Sequence, residues 1–319
     1  MKISVIGAGN VGSSCADVLA HKEAASEIVL LDVRKGIAEG KALDIWQSAP
    51  IDRFDARTSG VTSDYEATAN SEVVIITSGI PRKPEMSRDD LIEVNARIVR
   101  EVTENIVKYS PEAILIVVSN PLDIMTYQAY VTSHHPRTRV MGMAGVLDTG
   151  RYRSFIASEL NISPKDIQAV ILGGHGDSMV PLPRYTTVSG IPLTNLLSTK
   201  KIDTIIERTK NGGSELVNLM GTSAWYAPGS AAARMAEAIT RDQKRVLPCC
   251  VKLEGEYGLH DVFVGVPVVL GENGIEQIIT LQLNDEELEQ LHKSAATVKE
   301  LMNVLDAMQN NQLKKPSGI

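Results

Sequence analysis

The sequence predicts an α/β protein, with a doubly wound parallel sheet over residues 1–145 and a C-terminal mixed α+β domain over residues 146–319. Three observations carry this. Short Val/Ile-rich runs alternate with amphipathic stretches in the first half, a glycine-rich turn joins the first run to the first stretch, and the pattern changes character near residue 145. The runs Ile3–Ile6, Ile28–Leu31, Val73–Thr77, Ile114–Val118 and Val140–Met143 are almost continuously apolar, as suits strands of a parallel sheet covered on both faces. Between them, 11–19 and 92–109 carry helical spacing. The second half reads as a helix over 148–160, a strand over 169–172, helices near 202–219 and 229–239, strands over 245–253, 262–270 and 275–282, and a long charged helix over 285–308. The polar tail 310–319 is expected to fray. No repeat or Pro/Ser-rich linker separates the halves, so they are expected to pack closely with a cleft between them.

A chain of 319 residues is long for one core and comfortable for two domains sharing an interface. Hydrophobic residues at 43% and charged residues at 22% match a folded globular protein and argue against disorder. No stretch reaches the roughly 20 apolar residues that span a bilayer, and the opening MKISVIGAG lacks the features of a secretory signal, so a cytoplasmic location is expected. Cys15, Cys249 and Cys250 have no zinc-like spacing and are expected to be reduced, buried thiols; no metal is expected. With a net charge of -7 and no basic stripe, neither nucleic acid nor a membrane fits as a partner. An acidic chain that binds an anion must concentrate its arginines locally.

Gly7-Ala8-Gly9-Asn10-Val11-Gly12 follows the first strand directly and opens the first helix, the setting in which a GxGxxG motif marks a Rossmann nucleotide site. The glycines permit a tight turn, let backbone N–H groups reach a pyrophosphate, and let helix and strand pack closely. Asp32 ends the second strand, where a carboxylate accepts hydrogen bonds from adenosine ribose hydroxyls and repels a 2′-phosphate, favouring NAD over NADP. The alternative is that the glycines only tighten a turn and that Asp32 is a solvated strand-end residue; FAD and S-adenosylmethionine sites also use similar loops, so the motif names a cofactor class and leaves the reaction open.

The chemistry is carried by scattered polar residues. The stretch Gly79 to Asp90, GIPRKPEMSRDD, reads as a loop near the carboxyl ends of the strands, and its Arg82 and Arg88 would reach an anion when the loop closes; taken alone, a solvated basic loop tip is the better reading. Asp148 and Arg151 share a helix face; an ordinary surface ion pair is the alternative. Of six histidines, only His175 is flanked by glycine on both sides, which leaves room for a ligand beside the imidazole; a purely structural histidine is the alternative.

The segments GAGNVG, SGIPRKPEMSRDDL, VVSNPLD, GMAGVLDTGRYR, GGHGDSMVP and TSAWYAPG occur in this order along nearly the whole chain. In them the sequence resembles the lactate/malate dehydrogenase superfamily, most of all its bacterial, lactate-dehydrogenase-like malate enzymes. The resemblance implies an NAD-binding Rossmann domain over residues 1–145 and a catalytic, substrate-binding domain over 146–319. It implies that Gly7, Ala8, Gly9, Asn10, Val11, Gly12 and Asp32 bind NAD, with Asn95, Val118, Ser119 and Asn120 lining the rest of the cofactor site. It further implies His175 as acid/base, Asp148 as its orienting carboxylate, and Arg151 as the fork that holds the substrate carboxylate. Arg88 would polarise the reacting carbonyl, Asn120 would touch nicotinamide and substrate, and Ser223 would touch the substrate from the second domain. A homo-oligomer, dimer or tetramer, is implied as well.

These residue types suit the reaction. A secondary alcohol loses a proton from oxygen as hydride leaves carbon, which calls for a base of near-neutral pKa such as histidine. A guanidinium matches a carboxylate with two parallel hydrogen bonds. Arg82 selects the substrate: the family carries glutamine here in lactate enzymes and arginine in malate enzymes, because a second buried carboxylate must be neutralised. The expected substrate pair is therefore (S)-malate and oxaloacetate. L-lactate, an NAD-dependent glycosidase and a silent NAD-binding scaffold are the competing readings; the glycosidase lacks a cysteine near His175, and the scaffold has no use for five retained polar residues. Glu85, where the family loop often has glycine, and Gly150, where alanine is common, depart from the pattern without removing a ligand.

Overall fold

The computed structural model describes residues 1–81 and 86–313, so Arg82 and Glu85 lie outside the described residues. The first half runs β1 (Lys2–Ile6), α1 (Asn10–His21), β2 (Glu27–Asp32), α2 (Ile37–Asp52), β3 (Arg57–Thr62), β4 (Val73–Ile76), α3 (Arg88–Tyr109), β5 (Ile114–Val117), α4 (Leu122–Ser133) and β6 (Val140–Gly142). The second runs α5 (Gly145–Leu160), β7 (Ile167–Gln168), β8 (Ile171–Leu172), β9 (Val180–Pro181), β10 (Thr187–Val188), β11 (Ile191–Pro192), α6 (Thr199–Lys210), α7 (Gly212–Met220), α8 (Tyr226–Thr240), β12 (Arg245–Glu254), β13 (His260–Gly271), β14 (Gly274–Ile278) and α9 (Asp285–Leu313).

One nine-stranded sheet organises both halves, in the order β14-β13-β12-β6-β5-β4-β1-β2-β3. Strands β1 to β6 pair in parallel, and β12 to β14 continue the sheet antiparallel. The junction is Cys250 opposite Gly142. A Cβ at residue 142 would lie 2.4 Å from Thr126 Oγ1 and 3.0 Å from Cys250 Cβ, so glycine there is what lets β12 dock. β4 and β5 are buried at every position, which is why they read as uninterrupted apolar runs. One hydrophobic core spans both halves, and a smaller one, around Tyr152, Ile156, Ile171 and Ile205, sits under α5 and α6. Among the described residues no helix is long and apolar enough to cross a membrane.

Several expectations need correction. Arg88 is not on a loop: it opens α3, because Ser87 and Asp90 form a capping box that starts the helix four residues before its apolar stripe at Ile92. The strand expected over 169–172 shrinks to β8, paired only with the equally short β9. The helical region 202–219 is two helices broken at Asn211, β14 stops at Ile278, and α9 carries helix on through 310–313, where fraying was expected. β3, α2 and α4 went unread: β3 is an edge strand of sequence RTSGVT with only Thr58 buried, and α4 is covered on several sides, which erases its amphipathic period.

Candidate active site

The turn after β1 is shaped by close approach. Gly7 has φ +109° and donates its N–H to Leu31 O at 2.7 Å. A Cβ at Gly12 would fall 1.9 Å from Gly7 O, so α1 could not start there with any other residue. Gly9 is different: among the described residues nothing lies within 4 Å of where its Cβ would stand, leaving that side of the turn open. The Ala8 N–H donates to Asp32 Oδ2 at 2.8 Å and ties the turn to the end of β2. Asp32 is 7% exposed. Burial favours its neutral acid, but hydrogen bonds from Arg34 and Ala8 outweigh this and hold it below the ordinary carboxylate range.

A cleft of about 540 Å³ opens at this edge, lined by Gly7, Gly9, Asp32, Arg34, Tyr65 and Ile98 among others. Backbone amides at a helix start, an open glycine and a buried carboxylate at the strand end fit the pyrophosphate and ribose of a dinucleotide. Asn10 and Val11 form the first turn of α1, and Val118 and Ser119, nearly buried, follow β5. Among the described residues Asn95, Val118, Ser119 and Asn120 do not line this cleft, and Asn95 is held elsewhere. Its amide accepts from Ile80 N at 2.9 Å and donates to Ile80 O at 3.1 Å and Asn120 O at 2.7 Å, clamping the segment after β4 against the one after β5. Asn120 is exposed at that clamp.

The second constellation is assembled from distant segments. α5 presents Asp148 and Arg151, and the loop after β8 brings His175 to them. His175 Nδ1 lies 2.9 Å from Asp148 Oδ2, and Arg151 Nη1 lies 3.4 Å from Asp148 Oδ1. The Asp148 side chain is 2% exposed while those of Arg151 and His175 retain 15% and 21%, so the carboxylate is the floor and the guanidinium and imidazole reach the opening. Burial disfavours the imidazolium, but Asp148, by charge and by hydrogen bond, and then Asp123 outweigh it and raise the His175 pKa above its ordinary value. The arrangement suits an imidazole that gains and loses a proton at Nε2 while Nδ1 is held.

Asp123 is the residue that sequence reasoning passed over. Its Oδ2 accepts the backbone N–H of His175 at 2.9 Å, and burial pushes its own carboxyl up. Ser294 Oγ of α9 accepts the Gly174 N–H at 2.8 Å, and Gly173 exchanges two 2.9 Å hydrogen bonds with Gly265 of β13. The loop is thus fastened from three sides. The signal available in the sequence was the position of Asp123 inside VVSNPLD; an acidic residue in a first helical turn reads as a simple dipole partner.

Arg88 and Ser223 are exposed, and among the described residues no hydrogen bond or ion pair joins either to the His175 cluster. Cys15, Cys249 and Cys250 are free and buried, as expected.

Residues 1–142 match the NAD-binding domain of lactate/malate dehydrogenases, and residues 145–309 match their alpha/beta C-terminal domain. A malate dehydrogenase of Cytophaga hutchinsonii is 65% identical over 308 residues, which cover 97% of this chain and 99% of that protein. The solved malate dehydrogenase of Salinibacter ruber superposes with a TM-score of 0.94 at 53% identity, covering 98% of this chain and 100% of that one. A Cryptosporidium parvum lactate dehydrogenase, solved with lactic acid and nicotinamide adenine dinucleotide, reaches 0.91 at 38% identity, covering 96% of this chain and 98% of that one.

Proposed function

Since the chain belongs to the lactate/malate dehydrogenase family, we propose that it reversibly oxidises (S)-malate to oxaloacetate with NAD, using His175 as acid/base. The observation that carries this reading is the His175–Asp148–Arg151 cluster, with its carboxylate buried and the guanidinium and imidazole at the opening. NAD, when bound, supplies the hydride acceptor. Gly7, Ala8, Gly9, Asn10, Val11, Gly12 and Asp32 would hold its adenosine and pyrophosphate, with Val118, Ser119 and Asn120 toward the ring; Asn95 acts by fixing Asn120.

In the oxidation direction, the C2 hydrogen leaves with its electron pair and the hydroxyl proton passes to His175 Nε2. Asp148 accepts from Nδ1, fixes the tautomer and stabilises the imidazolium. Arg151 grips the carboxylate beside the reacting carbon, Arg88 polarises the carbonyl oxygen, Arg82 neutralises the distal carboxylate, and Ser223 contacts the substrate. Arg88 opens a helix with an exposed side chain, which leaves it free to turn toward a bound anion. Residues 1–145 act as the NAD-binding domain and 146–319 as the substrate domain of a cytoplasmic homo-oligomer. Exposed Leu43, Trp46 and Tyr226 support the assembly, and light scattering reads its size.

The lactate enzyme of Cryptosporidium parvum superposes nearly as well as the malate enzyme, so the fold leaves the substrate open and Arg82 selects it. The test is kcat/KM for oxaloacetate against pyruvate with NADH. A preference for oxaloacetate is expected, falling by about 100-fold in Arg82→Gln as a buried carboxylate loses its partner. A preference for pyruvate in the unaltered protein overturns the reading.

A further inference from the structure

The carboxylate at the end of β2 is already full. A carboxylate offers about four acceptor positions, and Asp32 has four donors among the described residues. Oδ2 takes Ala8 N at 2.8 Å and Arg34 Nη2 at 3.3 Å; Oδ1 takes Arg34 N at 2.9 Å and Arg34 Nε at 3.1 Å. A ribose therefore donates its hydroxyls to Asp32 only by displacing one of them. Two cannot leave, because the Ala8 amide belongs to the tight turn and the Arg34 amide to the backbone two residues on. The guanidinium can: its side chain is 61% exposed against 9% for Asp32, and an ion pair so open to water is weak.

We propose that Arg34 sets the dinucleotide range of this cleft, competing with the unmodified ribose for Asp32 and, once displaced, binding a 2′-phosphate in its place. The inference rests on the reading of the cleft as the NAD site. The displaced guanidinium stays tethered at the rim, beside the ribose edge, where its planar fork matches a phosphate with two charge-assisted hydrogen bonds. Lys41 adds positive charge on the same side: its ammonium donates to Gly9 O at 3.3 Å and Ser13 Oγ at 3.2 Å and is close enough to feel both Arg34 and Asp32. Asp32 itself still repels a phosphate, so the unphosphorylated dinucleotide remains the better ligand. The same residue thus weakens one ligand and strengthens the other.

That opposition gives the test its sign. Dissociation constants for NADH and NADPH are measured calorimetrically for the unaltered protein, Arg34→Ala and Arg34→Gln, together with binding of 2′,5′-ADP, which carries the phosphate without the nicotinamide. Removing the guanidinium is expected to tighten NADH by about 3-fold, the worth of an exposed ion pair. It is expected to weaken NADPH and 2′,5′-ADP by about 10-fold, the worth of a hydrogen-bonded charge. Because Arg34 is exposed, both variants should melt with the parent. Shifts in the same direction for both ligands, or none, overturn the proposal, while failure of the unaltered protein to bind NADH overturns the reading of the cleft beneath it.

Discussion

The two ends of the active region are built by different rules. The cofactor end is local: residues 7–12 form one turn, and Asp32, 24 residues beyond Ala8, closes it. Its hydrogen bonds involve main-chain amides, and its shape depends on the absence of side chains at Gly7 and Gly12. The histidine end is remote: Asp148 lies 27 residues from His175, Asp123 lies 52, and Ser294 lies 120 from Gly174. Apart from the Gly173–Gly265 backbone pair its hydrogen bonds end on side chains, and its shape depends on which carboxylates are present. A backbone-built site is sensitive to added volume, a side-chain-built site to lost charge.

The largest expected effect separates the two ends. His175→Asn should lower kcat/KM for oxaloacetate by about 1,000-fold, within the range general acid–base catalysis contributes, and leave the NADH dissociation constant unchanged. Steady-state kinetics and fluorescence titration read the two quantities; loss of NADH binding would mean that the ends are not separable. Gly12→Ala is the converse. A Cβ placed 1.9 Å from Gly7 O must push α1 away from the turn, costing about 2 kcal/mol of stability by overpacking and weakening NADH far more than it changes kcat. Chemical denaturation and titration check this, and an unperturbed variant would show that the turn yields.

Asp123→Asn sharpens the comparison and has the smallest expected effect, about 10-fold in kcat/KM, the difference between a hydrogen bond to a charged group and one to a neutral group. Asparagine keeps an acceptor for the His175 N–H and removes only the charge. Asp148 and Asp123 both raise the His175 pKa and Arg151 opposes them, so losing one carboxylate lowers it. Oxaloacetate reduction needs the imidazolium, so activity is lost as pH rises through that pKa, and the variant should lose it at lower pH than the parent. The imidazolium also stabilises the fold below its unfolded pKa, a contribution lost as pH rises through the raised folded value. A lower melting temperature with an unmoved pH profile would make Asp123 a structural prop alone.

Legibility follows the same division. β1, β4 and β5 are readable because burial on both faces writes a nearly continuous apolar run, α1 because its one buried face writes helical spacing, and the glycine turn because its constraint is written in consecutive residues. α4 was opaque because many packed neighbours bury most of its surface, polar Asp123, Thr126 and Gln128 included. Arg88 was misread as a loop residue because the capping box that starts α3 lies outside the apolar period.

By itself the sequence determined the alternating first half and the nucleotide turn, since each rests on chemistry local to a residue or its neighbours, while Arg82, His175 and their company point to a reaction only through the family resemblance. Tertiary structure alone decided that β12 extends the first sheet at Gly142, and that Asp123 and Ser294 hold the histidine loop. The physical reason is that a hydrogen bond between groups far apart along the chain leaves no periodic mark on either segment; it exists only once packing has brought donor and acceptor together.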